Sequence, residues 1–406
     1  MWLDRPGPGD DAWGMTGRLE RARRRWWVTV GLGALALLAA GCGSGGEKKA
    51  SSGAETVKLL YLGPITGDFA NVGVAGRDAV QLAVDEANDG GDVPVHLALE
   101  VFDTQLDPAQ AQLLATRAVT DRGIIGSVGP LSSGESKAVA PTFDEGGLPF
   151  VTVASNPDLA RHGWKSFHRL MANDDIQGNE VARYLDKGLK ARTVSVVHDN
   201  TEYGKALAVV AEKALKERGV ATHVAVIDPK SLDYSAAVNI VKARQPAAIF
   251  YGGYYPEAGR LVRQLRDGGV TAPFVAGDAS KDPGIAQGAG KAAQGVVVTC
   301  ACTDPQHQSD PASQAFAKAY RDRFGRPPQL YSAEFYDGTQ LLIDAIRRGA
   351  RTRDAVLANL KSTTLGGVTK QFSFQPDGEV GVGAVYVYEF REGAFVSLGT
   401  TAALAP

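Results

Sequence analysis

From residue 57 onward the chain alternates two kinds of apolar pattern. Residues 57–62, Val-Lys-Leu-Leu-Tyr-Leu, form a β-prone run closed by Gly63-Pro64. Val80, Ala83, Val84 and Ala87 then recur at i, i+3, i+4 and i+7, one face of an amphipathic helix over 73–88. The same succession predicts strands at 96–102, 124–128 and 150–153, with helices at 108–121 and 133–145 between them. A second series predicts strands at 194–198, 222–227, 247–251 and 274–276, with helices at 203–218, 234–243 and 257–268. Residues 313–361 read as mostly helical, and strands are expected at 371–374 and 385–390. Alternating strands and helices imply parallel sheets covered on both faces. Two such runs imply an α/β protein of two doubly wound parallel-sheet domains.

Composition narrows the classes of function. The 406 residues are 44% hydrophobic and 22% charged, with a formal net charge of −2. That balance lacks the basic face a nucleic-acid binder needs, so no nucleic-acid partner is expected. Three cysteines in this length are neither a disulfide framework nor a zinc site, and no metal or cofactor is expected. Cys300 and Cys302 leave two readings open, a bridge in an oxidising compartment or two small buried hydrophobes.

The first 56 residues read as an address. An arginine-rich stretch at 18–25 precedes an apolar run at 26–40, which ends in Leu38-Ala39-Ala40-Gly41-Cys42. Basic, apolar and small-residue regions in that order describe a signal peptide, residues 1–41, and the run is short of the ~20 apolar residues that span a bilayer. Met15 opens a complete signal of its own, so translation is expected to start there. The cysteine after small residues resembles a lipobox, with Ala39 in the slot usually held by leucine. That resemblance implies cleavage before Cys42, lipidation of Cys42, and anchorage to the outer face of the cell membrane. Residues 42–56, rich in Gly, Ser and Lys, suit a flexible tether.

In doubly wound sheets a ligand sits beyond the carboxyl ends of the strands. The turns there are 63–73, 129–136, 154–158, 199–204, 252–257 and 278–282. None carries a phosphate loop. His198 and Asp199 are the best catalytic pair available, but neighbours on a strand point to opposite faces. No enzyme is expected.

At these turns the chain resembles the leucine/isoleucine/valine-binding proteins of ABC import systems. The resemblance rests on Leu62-Gly63-Pro64-Ile65-Thr66-Gly67, Val197-His198-Asp199-Asn200-Thr201-Glu202-Tyr203-Gly204 and Tyr251-Gly252-Gly253-Tyr254-Tyr255-Pro256-Glu257, and covers about 57–390. It implies the type I periplasmic-binding fold, with the two domains joined by a three-segment hinge. The lobes expected are 57–175 with 303–381, and 176–302 with 382–406. It also implies a monomer that captures a branched-chain or related amino acid between lobes and hands it to permease subunits in the membrane.

Site residues follow from the same resemblance. Ser133, the backbone at Ala154, and Ser155 or Asn156 are expected to hold the α-carboxylate. Helix N-termini favour such anions. Asp278 is expected to take the ammonium, one methylene shorter than the glutamate of well-known members. Tyr203 and Tyr254 are expected to close over the ligand, with Tyr331 as an aromatic wall. Val72 stands where relatives place a pocket tyrosine, and Leu106 and Ser132 where they place a disulfide. Two other readings keep the fold: an amide, urea or aromatic acid as the ligand, or a ligand-sensing receptor domain.

Overall fold

The computed structural model describes residues 55–381 and 383–406. The signal region, Cys42 and nearly all of the tether lie outside the described residues. Thr56, read from sequence as the last tether residue, already belongs to the first strand.

The first sheet takes β1 (Thr56–Gly63), β2 (His96–Asp103), β3 (Ile124–Val128), β4 (Phe150–Thr152) and β5 (Phe167–Arg169) in the order β2-β1-β3-β4-β5, all parallel. Covering helices are α1 (Ala70–Gly90), α2 (Pro108–Thr120), α3 (Ser133–Glu145) and the single turn α4 (Asp158–Arg161). α5 (Asp174–Arg183) then leads into the second sheet. Its parallel strands are β6 (Thr193–His198), β7 (Ala221–Val226), β8 (Ala248–Gly252), β9 (Phe274–Ala276) and β10 (Val297–Cys300). Between them run α6 (Glu202–Glu217), α7 (Ser235–Arg244), α8 (Tyr255–Asp267) and α9 (Ile285–Ala289).

The chain then returns to the first lobe through α10 (Pro311–Phe324), α11 (Ser332–Arg347), α12 (Arg353–Ser362) and the small ribbon β11 (Leu365–Gly366) and β12 (Gln371–Phe372). The hairpin β13 (Tyr386–Arg391) and β14 (Ala394–Thr400) adds two antiparallel strands beside β10, before α13 (Thr401–Leu404). The chain therefore passes between the sheets three times: after β5, after β10 and after β12.

Burial explains the strand patterns. β3, β4 and β8 are buried along their whole length, as strands covered by helices on both faces must be. Edge strand β7 keeps only Ala225 fully buried, and exposes Val224 and Val226. β12 is two residues long, shorter than the strand expected at 371–374, although Phe374 makes one further bridge to Val380.

Candidate ligand-binding cleft

The ends of β1, β3 and β4 face the ends of β6, β8 and β9 across a cleft. On the first side, Ser132 caps α3: its hydroxyl accepts from Glu135 N–H at 3.2 Å, and the Glu135 carboxylate accepts from Ser132 N–H at 2.9 Å. Ser133 is thereby left free of capping. Its hydroxyl accepts from Asn156 N–H at 3.2 Å and ties the start of α3 to the turn after β4. Ala154 N–H donates to Thr152 Oγ1 at 3.0 Å, and Thr152 in turn donates to the Pro130 carbonyl at 2.7 Å.

Arg169, fully buried at the end of β5, holds the same turn from behind. It donates to the Ala154 carbonyl, to the Asn156 carbonyl at 3.0 Å, and to both carboxylate oxygens of Glu379 at 3.0 Å each. The fork geometry of guanidinium suits such a bidentate pair. The backbone of the expected carboxylate turn is therefore fixed before any ligand arrives.

On the second side, Asp278 follows β9 and is 1% exposed. Oδ1 accepts from Tyr203 Oη at 2.6 Å and from Gln177 Nε2 at 2.9 Å; Oδ2 accepts from Tyr331 Oη at 2.6 Å. Tyr203 comes from the second lobe and Tyr331 from the first, so this carboxylate joins the two. Tyr331 holds a left-handed backbone, φ 63°, just ahead of α11. That conformation costs an aromatic residue on the order of 1 kcal/mol and aims the phenol into the cleft.

The close approach of α6 to β8 positions Tyr203. A Cβ on Gly252 would stand 2.3 Å from the Gly204 carbonyl, so only glycine lets the two segments meet there. Tyr254 packs on Tyr203 with ring centroids 5.2 Å apart. Phe69, from the first lobe, meets both Tyr254 and Tyr255 edge-on, at 5.3 and 5.9 Å. Further contacts cross the cleft: Asn156 Nδ2 donates to the Glu202 carbonyl at 3.0 Å, Lys137 pairs with Glu202 at 2.8 Å, and Tyr255 Oη donates to the Asp68 carbonyl. The lobes are in contact along the cleft.

Ser133, Ala154, Ser155, Asn156, Tyr203, Tyr254, Asp278 and Tyr331 all lie at this junction and are buried. Val72 is buried in the first turn of α1, within the main apolar cluster.

Two side chains that pattern reading missed belong here as well, Asp174 and Gln177, both on α5. Asp174 N–H donates to the Ser155 carbonyl at 2.8 Å. Its carboxylate is fully buried, and neither oxygen accepts a hydrogen bond of normal geometry among the described residues. Burial first, then the neighbouring Asp278 charge, push the Asp174 carboxyl well above the ordinary range, opposed by the Ser155 hydroxyl. The available signal was Asn173-Asp174-Asp175, a capping residue followed by acids. The structure makes Asn173 the cap of α5.

His198 and Asp199 do not act on each other. His198 Nδ1 accepts from Asn200 N–H at 3.0 Å, while Asp199 Oδ1 accepts from the Thr201 amide and hydroxyl at 3.0 and 2.7 Å. Both close the turn before α6. Cys300 and Cys302 are disulfide-bonded at the end of β10, which resolves the two readings in favour of the bridge.

Two doubly wound lobes, three crossings and a polar cleft at the strand ends define a solute-binding protein of the type I periplasmic-binding fold. The chain belongs to the periplasmic binding protein family, whose model matches residues 56–394, in the branch of the branched-chain amino acid binding proteins. It is 30% identical over 351 residues to the Leu/Ile/Val-binding protein BraC3 of Rhizobium johnstonii, covering 84% of this chain and 93% of that one. Among solved structures, the leucine-binding protein LivK of Thermotoga maritima superposes with a TM-score of 0.80 at 26% identity, covering 85% and 98% of the two chains. LivJ of Streptococcus pneumoniae in complex with isoleucine gives 0.77 at 26% identity, covering 84% and 100%.

Proposed function

We propose that the chain captures a branched-chain or related α-amino acid between its lobes and delivers it to the permease of an ABC importer. The observation that carries this reading is Asp278, buried and held at 2.6 Å by one tyrosine from each lobe. A carboxylate so placed, with Asp174 beside it, suits an ammonium. The opposite wall, where Ser133, Ser155 and Asn156 gather at the start of α3, suits a carboxylate. Tyr203, Tyr254 and Tyr331 then wall the side chain, and Val72 shapes the space left to it.

In this reading the amino acid binds the first lobe (57–175 with 303–381), and the second (176–302 with 382–406) closes over it about the three crossings. Hydrogen bonds to charged groups contribute roughly 1.5–3 kcal/mol each, so four or five of them support micromolar affinity after the costs of association. The protein works as a monomer, tethered outside the cell through lipid on Cys42. Replacing Cys42 by serine should release it into the medium.

Calorimetric titration with leucine, isoleucine and valine tests the ligand. Micromolar or tighter binding is expected for the wild type, and a loss of at least ~100-fold for Asp278→Ala, the size of a lost charge-assisted hydrogen-bond set. Unchanged affinity in a folded Asp278→Ala protein overturns the site.

A further inference from the structure

Away from the cleft contacts, a cavity of about 260 Å³ opens beside the second crossing. Lys281 supplies its cationic wall. The side chain is only 9% exposed, and its ion-pair partner Asp304 stands 3.7 Å away, longer than a hydrogen bond. Its ammonium instead lies 4.2 Å from the centroid of the Tyr388 ring. Asp304 is engaged elsewhere: Oδ2 is 3.2 Å from His307 Nδ1, and Oδ1 accepts from Gln306 N–H at 3.3 Å. Burial pulls the Lys281 pKa down against the combined pull of Asp304, Glu334 and Asp282, as for an ammonium whose lost hydration is only partly replaced.

Pro283, Pro305, Pro328, Leu330 and Phe395 form a stiff apolar stretch of the wall, and Thr303, Asp304, Gln306, His307 and Gln329 make the rest of it polar. Gln306 donates to the Pro328 carbonyl at 3.3 Å, and Gln329 to the Pro327 carbonyl at 3.0 Å, so the proline turn is pinned. A buried ammonium beside the apolar stretch of a preformed, mixed cavity is complementary to a carboxylate with a short hydrocarbon body. Asp304, Glu334 and Asp282 around it disfavour a more highly charged anion.

We propose that this cavity is an accessory binding site for a small apolar monocarboxylate, its carboxylate on Lys281 and its body against Leu330 and Phe395. The position gives the site leverage. Lys281 follows Asp278 on the same turn, and Leu330 directly precedes Tyr331, so an occupant touches both segments that the Tyr331–Asp278 hydrogen bond joins.

Titration of the intact protein with hexanoate tests the assignment. Saturable binding is expected, at least ~10-fold weaker in Lys281→Met, the worth of one charge-assisted hydrogen bond. It should be lost in Ala394→Trp, which fills the cavity from an exposed position. Ser133→Ala, in the cleft, should leave it unchanged. Absence of saturable binding, equal affinity in folded Lys281→Met, loss in Ser133→Ala, or equally tight binding of inorganic phosphate would each overturn the proposal. Should Lys281→Met fail to fold, Ala394→Trp decides. None of these arms requires an amino acid in the cleft.

Discussion

Two acids meet in the cleft and play opposite parts. Asp278 is fully provided with donors, while Asp174 is buried without them. An acid whose pKa is raised in the folded state keeps its proton where the unfolded chain has lost it. Stability then falls as pH climbs above the ordinary carboxylate range of about 4. Asp174→Asn should therefore match the wild type in melting temperature near pH 4 and exceed it at pH 7, in ligand-free protein. The same substitution should weaken amino-acid binding. A melting temperature lower than wild type at pH 7 contradicts this account. Tyr331→Phe removes a hydrogen bond to a carboxylate, worth roughly 1.5–3 kcal/mol, and should raise the dissociation constant at least ~10-fold, mostly through faster release. Asp278, Tyr203 and Tyr254 were singled out through the family resemblance at turns beyond strand ends, and the structure brings the three together at the cleft. Asp174 was not singled out, because nothing apolar and periodic announces α5.

At the scale of elements, sequence periodicity found the central strands and the helices between them within about three residues, and read α10 to α12 only as one mostly helical stretch. It missed the elements whose formation depends on neighbours. β5 is only three residues long, Phe-His-Arg, and gains its place by pairing with β4. β10 and β14 belong to a mixed region where a hairpin joins a parallel sheet, and local pattern does not specify that pairing. α3 was read at 133–145, as observed, and the structure makes Ser132 its N-cap, leaving Ser133 free of that role. That distinction is testable. Ser132→Ala should cost about 1 kcal/mol in denaturant unfolding through the lost cap, whereas Ser133→Ala should act mainly on ligand affinity. Equal stability losses in the two variants would contradict the division of labour.

Across the whole molecule, closure rests on a few contacts of different worth. Lys137 and Glu202 are both close to half exposed, and a pair of that kind contributes little and fades with salt. Phe69 is the stronger link, since it reaches from one lobe to two tyrosines of the other. Phe69→Ala should shift the ligand-free protein toward an open form, seen as a larger radius of gyration in small-angle scattering, and raise the amino-acid dissociation constant about 10-fold, the worth of one or two aromatic contacts. An unchanged scattering profile and affinity would place closure elsewhere. The two-lobed plan itself was legible, since alternation fixes parallel sheets and the resemblance supplies the crossings. The contacts that hold the lobes together were not, because they pair residues far apart in the chain.

The Cys300–Cys302 bridge has a practical consequence. Cys42 is the only other cysteine in the sequence, so the described body carries no free thiol. A single cysteine introduced at the half-exposed Glu202, on the rim where the lobes meet, would be a unique attachment point for an environment-sensitive dye. Such a conjugate would turn closure into light and make this chain an optical gauge of its own solute.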